Sequence, residues 1–156
     1  MTIKFKEETA PNIEDLKQMA SNKKDANLRL QAVEELGKWK CKQSIDILWR
    51  LMLHDLVYEI QNASFLRLQA FGEDVRLPKK AKGNLIKRID KKIEKLLKPI
   101  DGQITFSEFV GVFKDKMPEE YDVYIHDKKK DFEKWLKNIL NNFTTDIRSK
   151  IKDDNA

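Results

Sequence analysis

Lys87, Arg88, Lys91, Lys92, Lys95 and Lys98 recur on the side of an expected helix opposite Leu85, Ile89, Ile93 and Leu96. Lys79, Lys80 and Lys82 extend the run on its N-terminal side. At 1.5 Å per residue the helical part makes a stripe about 17 Å long. A row of cations of this length can follow a phosphate backbone, each neutralised phosphate releasing counterions, or can meet an acidic partner. Lys predominates over Arg and no aromatic is interleaved, so contact with nucleic acid is expected at the backbone and not at base edges. A plainer explanation covers the same residues, because any solvent-facing helix needs charge.

Other residues capable of chemistry stand apart from one another. His54 and His126 are isolated near expected helix ends, and Cys41 lies in a turn with no histidine near it in sequence. Glu34-Glu35 and Glu119-Glu120 are adjacent pairs, which diverge by about 100° on a helix and make no acid/base couple. There is no Gly-rich phosphate loop or nucleophile elbow. The expectation is a protein without catalytic residues, cofactor, metal or small-molecule substrate. Asp101-Gly-Gln-Ile-Thr-Phe-Ser-Glu-Phe resembles the second half of an EF-hand calcium loop. Counting back, however, places Leu97 and Pro99 at positions that must supply side-chain oxygens, and calcium needs six or more oxygen ligands. Thr105 with Glu108 as a capping box accounts for the same spacing.

Charge is unevenly placed in this chain of 156 residues and net charge +5. Residues 1–75 hold 11 Lys+Arg against 12 Asp+Glu, residues 76–100 hold 10 against 2, and residues 101–156 hold 10 against 12. The sums are −1, +8 and −2, so one segment carries the whole excess. One cysteine cannot form an internal disulfide, which suits a reducing compartment. No signal-peptide run opens the sequence and no stretch of eighteen apolar residues occurs in it, so a cytoplasmic protein without membrane contact is expected.

The elements that must carry these residues read as helices. Residues 1–11 are polar, after which Asn12 can cap a helix bearing Ile13, Leu16 and Met19. Asp25 can cap the next, with Leu28, Ala32, Val33 and Leu36 on one face and Gly37 at its end. Its expected partner carries Ile45, Leu48, Trp49, Leu51 and Met52. Leu28-Arg29-x-Gln31-Ala32-x-x-x-Leu36 is answered by Ile60-Gln61-x-Ala63-Ser64-x-x-x-Leu68 at an offset of 32, and this second copy stops near Gly72. Its partner is expected beyond a loop over 73–83, as the basic helix ending at Pro99. The identical pentapeptide Leu-Arg-Leu-Gln-Ala at 28–32 and 66–70 fits the helix boundaries less well and is read as chance. Trp49 and Trp135 fall on apolar stripes and are expected in the core, leaving Trp39 as the exposed tryptophan.

Arg29, Ala32, Leu36-Gly37, the apolar partner stripe and Asp55 before a new helix together resemble HEAT repeats, over residues 25–72, or to 97 with the basic helix. Gln61 departs from that pattern where Arg is usual. The resemblance implies a solenoid of stacked helix pairs that offers a surface to a partner. Beyond it, Phe106, Phe109, Val110 and Phe113 make one helix face, 121–125 is ambiguous between strand and helix, and Phe132, Trp135, Leu136, Ile139, Leu140 and Phe143 make another helix. This C-terminal third, with Lys128-Lys129-Lys130, is also loosely like a small helical nucleic-acid module of the winged-helix kind.

The expected architecture is all-α: a short HEAT-like α-α superhelix over 1–100 with an N-terminal cap helix, further helices over 101–150 packed as a cap or small module, and a disordered tail over 151–156. The expected function is non-enzymatic macromolecule binding, with a protein partner first. Nucleic-acid backbone binding through the helix over 85–98 is the alternative.

Overall fold

The computed structural model describes residues 4–80 and 83–155. The chain is mostly helical and divides into two compact units, Met1–Lys80 and Ala81–Ala156.

The first unit holds α1 (Ile13–Ala20), α2 (Ala26–Leu36), α3 (Lys42–His54) and α4 (Tyr58–Ala70). Asp25 caps α2 as its position predicts, its carboxylate accepting from the Leu28 amide at 3.1 Å. Asn12 gives α1 no side-chain cap, and Cys41 unexpectedly caps α3, Sγ accepting from the Ser44 amide at 3.5 Å. The expected pairing is corrected by the packing. α1 lies against α2 and α3 against α4, while α2 meets α4 and α1 meets α3; contact between α2 and α3 is slight. The copies at offset 32 are therefore both second helices of hairpins. Burial supports that offset, because Ala32 and Ser64 are both fully buried, as are Leu36 and Leu68. The pentapeptide register would instead match partly buried Leu28 with exposed Leu66.

Gly37 marks the end of α2 as expected, although its φ of −65° is ordinary helical backbone. Space explains it better, since a Cβ there would fall on the side chain of Arg67. At the equivalent of Ala32, the Ser64 hydroxyl is buried without a hydrogen-bond partner among the described residues. Ser64→Ala removes an unsatisfied polar group and adds a better helix former. It should raise stability by about 1 kcal/mol, read as a higher midpoint in denaturant; a fall would mean that the hydroxyl is satisfied.

The polar N-terminal segment is part of this unit. Lys6 bridges to Trp39 through backbone bonds to Lys38 and Lys40, and the Phe5 ring stands edge-on to Phe71 with centroids 5.0 Å apart. Trp39 is half-buried under Lys6, whose Nζ lies 5.5 Å from the ring, so the expected exposed tryptophan is a packing residue.

The second unit holds α5 (Ile89–Leu97), β1 (Ile104–Thr105), α6 (Phe106–Lys116), α7 (Pro118–Lys128), a 3-10 turn over Lys129–Asp131, α8 (Phe132–Asn141), α9 (Thr145–Arg148) and β2 (Ile151–Lys152). Ile89, Ile93 and Leu97 are fully buried in one core with Phe106, Phe109, Phe113, Tyr124, Phe132, Leu136 and Leu140. The basic helix thus belongs here, and the boundary expected at residue 100 lies between Lys80 and Ala81. Its apolar face is complementary to the aromatic face of α6, which periodicity alone does not reveal. The ambiguous stretch over 121–125 is helical. Asp122, Val123 and Tyr124 are all buried in succession, which blurs the helical period.

The tail is not disordered where it is described. β2 runs parallel to β1, Ile151 opposite Ile104 and Lys152 opposite Thr105.

Candidate functional site

The cations singled out in the sequence are divided by the fold. Lys79 and Lys80 are exposed in the first unit, where Lys80 Nζ lies 5.7 Å from the Tyr58 ring. Lys82 lies outside the described residues. Lys87, Arg88, Lys91, Lys92, Lys95 and Lys98 are all exposed in the second unit. The helix beneath them begins at Ile89 and not at Leu85, because Arg88 takes a left-handed conformation with φ 60°. Leu85 and Ile86 turn inward, and the Ile86 amide donates to the Tyr124 hydroxyl at 3.0 Å.

Tyr124 is the residue that sequence reading missed here. It is fully buried and stacked on Trp135 with centroids 4.2 Å apart. Burial pushes its phenol above the ordinary range. Only its neighbour Trp135 carried a periodic signal, since 121–125 showed no clean helical stripe.

Ion pairing sorts the row on α5. Lys92 reaches Glu120 at 3.8 Å and Lys98 reaches Glu94 at 3.6 Å. Lys87, Arg88, Lys91 and Lys95 form no ion pair among the described residues. Lys91 and Lys95 stand one turn apart, about 6 Å along the axis.

The loop from Leu97 to Thr105 has the outline of an EF-hand half-loop but a different chemistry. Gly102 has φ 72°, as a tight turn requires. Glu108 does not face a cation site: it accepts from the Thr105 amide at 3.1 Å while Thr105 Oγ1 accepts from the Glu108 amide, completing the expected capping box. Lys150 Nζ donates to the Leu97 and Lys98 carbonyls at 3.2 and 2.9 Å, so an ammonium group meets the carbonyls where the loop begins. Among the described residues no group of three or more His, Cys, Asp or Glu side chains is arranged to hold a metal ion.

The remaining candidates sit singly. His54 is exposed at the end of α3. His126 Nδ1 lies 2.8 Å from the Asp122 carbonyl and 3.4 Å from its carboxylate, a contact within one turn of α7. Partial burial raises the Cys41 thiol, but hydrogen bonds from Ser44, Thr9 and Gln43 outweigh it and leave the thiol below its ordinary range. Trp49 and Trp135 pack against the cores of their own units.

Arg29 and Asp55, 26 residues apart, are joined by the fold. Arg29 Nε donates to Asp55 Oδ2 at 2.7 Å and Nη2 to Oδ1 at 3.3 Å, with both side chains about 95% buried. Arg29 Nη1 also donates to the Asn22 carbonyl, and the Val57 amide donates to Asp55 Oδ1. The pair ties α2 to the α3–α4 turn. Gln61, standing where the repeat pattern has Arg, donates to the Met52 carbonyl at 3.0 Å.

These features define a mostly helical protein of two units. No protein-family model, curated protein or solved structure matches it. No helix among the described residues is long and apolar enough to cross a membrane.

Proposed function

We propose that the chain is a HEAT-like, non-enzymatic module that binds a protein partner, and that its first unit supplies the docking surface in a reducing compartment such as the cytoplasm. The observation that carries this reading is where apolar surface remains in water. Leu53, Leu56 and Leu66, between 43% and 49% exposed, all lie on the α3–α4 hairpin. Large aliphatic side chains left in water on a rigid helical hairpin are suited to a protein interface. The stacked hairpins, the small residues Ala32 and Ser64 at equivalent positions and the buried Arg29–Asp55 pair support the likeness to HEAT repeats.

The test is affinity capture of the full chain with nuclease added, comparing wild type with Leu53→Glu/Leu66→Glu. A partner that survives nuclease and is lost from the double variant, with helical content and melting unchanged, is the expected result. Equal recovery by both proteins would remove the hairpin as the docking surface.

A further inference from the structure

We infer that the exposed side of α5 binds the sugar-phosphate backbone of nucleic acid, with Lys87, Arg88, Lys91 and Lys95 as the contacting cations. The inference concerns the second unit and does not depend on the protein-binding reading of the first. Its ground is how completely the fold separates the two faces of this segment. Ile89, Ile93 and Leu97 are fully buried, while every exposed residue from Lys87 to Lys98 is charged. Lys92 and Lys98 are partly neutralised by Glu120 and Glu94, while the other four cations form no ion pair among the described residues and Asp90 is the one exposed acid in the stretch. The hydrogen bond from Ile86 to Tyr124 holds the N-terminal side of the stretch, Lys92 meets Glu120 at its middle, and the buried Ile89, Ile93 and Leu97 fix the helix beneath, so the row is presented on a packed element.

The chemistry of the row selects among anionic partners. A protein interface draws its energy from desolvated aromatic or aliphatic anchors and is depleted in lysine. This face has no such anchor between Lys87 and Lys98. A lipid surface would engage an amphipathic helix through its apolar side, and here that side is buried in the core. A polyphosphate needs neither, because counterion release supplies affinity from charge alone. The predominance of lysine and the lack of a stacking aromatic on the face make the contact independent of base sequence.

The experiment is a fluorescence-anisotropy titration of the full chain with a labelled duplex DNA and a labelled single-stranded RNA, each of about 20 nucleotides, across added salt. With about four phosphates neutralised, the logarithm of affinity should fall with that of salt at a slope of about −2.8 for the single strand and about −3.6 for the duplex. This amounts to a loss of about 50- to 150-fold between 50 and 200 mM salt. Lys91→Gln/Lys95→Gln should weaken binding to every sequence and reduce the slope by about 2, with the melting temperature unchanged. Lys79→Gln/Lys80→Gln should leave both quantities as in wild type. The inference is overturned by no binding at 50 mM salt, by a slope indifferent to the α5 substitutions, or by equally tight binding of polyglutamate of matched charge.

Discussion

Replacing Arg29 with methionine is expected to destabilise the first unit by about 3–5 kcal/mol. The size follows from what is left behind. Asp55 is 5% exposed at its side chain, and without the guanidinium its carboxylate keeps the Val57 amide as a donor but loses the charge that offsets its burial. The Asn22 carbonyl loses its Arg29 donor as well. Such a cost measures an uncompensated charge and not the net worth of the pair, which burial makes small. Arg29→Met/Asp55→Leu should therefore recover a large part of the loss. Denaturant unfolding of the two single variants and the double variant closes the cycle. A double variant as unstable as the sum of the singles would mean no coupling between the two side chains and would overturn this account.

Ending the chain after Ser149 is expected to destabilise the second unit by about 2 kcal/mol, or about 10 °C in its melting midpoint. Three attachments are lost together. Lys150 leaves the Leu97 and Lys98 carbonyls at the end of α5, β2 leaves β1, and Asp154 leaves the Ser107 amide and hydroxyl at the start of α6. The short tail thus closes the end of one helix and the beginning of the next. Hydrogen exchange localises the effect: amides of α5 and α6 should lose protection while those of α2 and α4 do not. Uniform loss across both units, or none, would contradict the role given to the tail.

The same contacts set an acid limit. The Thr105 amide bond holds the Glu108 carboxyl below its ordinary range, and the Ser107 amide bond does the same for Asp154. A carboxyl depressed in the fold stabilises it above the unfolded value, near 4, and that contribution disappears as pH falls through the lower folded value. The second unit should therefore weaken below about pH 4, and the truncated chain, lacking Asp154, should show less of this dependence.

Much of the local structure could be read from residue types. Asp25 before Leu28 and Thr105 before Glu108 specify caps within four residues, and both caps form. The apolar spacing of Leu28 to Leu36 and of Ile60 to Leu68 marks helices, and the buried pairs Ala32/Ser64 and Leu36/Leu68 coincide at offset 32. Two local signals point elsewhere than the fold does. Asn12 has the right type but makes no cap bond, and the basic helix starts one turn later than its apolar spacing predicts, because Arg88 at its N-cap is left-handed.

The sequence by itself determined that this protein is built from helices, where most of them lie, and that its excess positive charge falls in one segment. Those properties depend on spacing within a few residues. Tertiary structure decided the rest: which helices form hairpins, which unit owns α5, which cations remain unpaired, and that residues 150–154 bind the ends of α5 and α6. Several of these depend on partners distant in sequence, such as Arg29 with Asp55, 26 residues away, and Lys150 with Leu97, 53 residues away. An apolar stripe states that a helix will bury one face, but the choice of the surface that covers it belongs to shape and polar satisfaction across the whole unit.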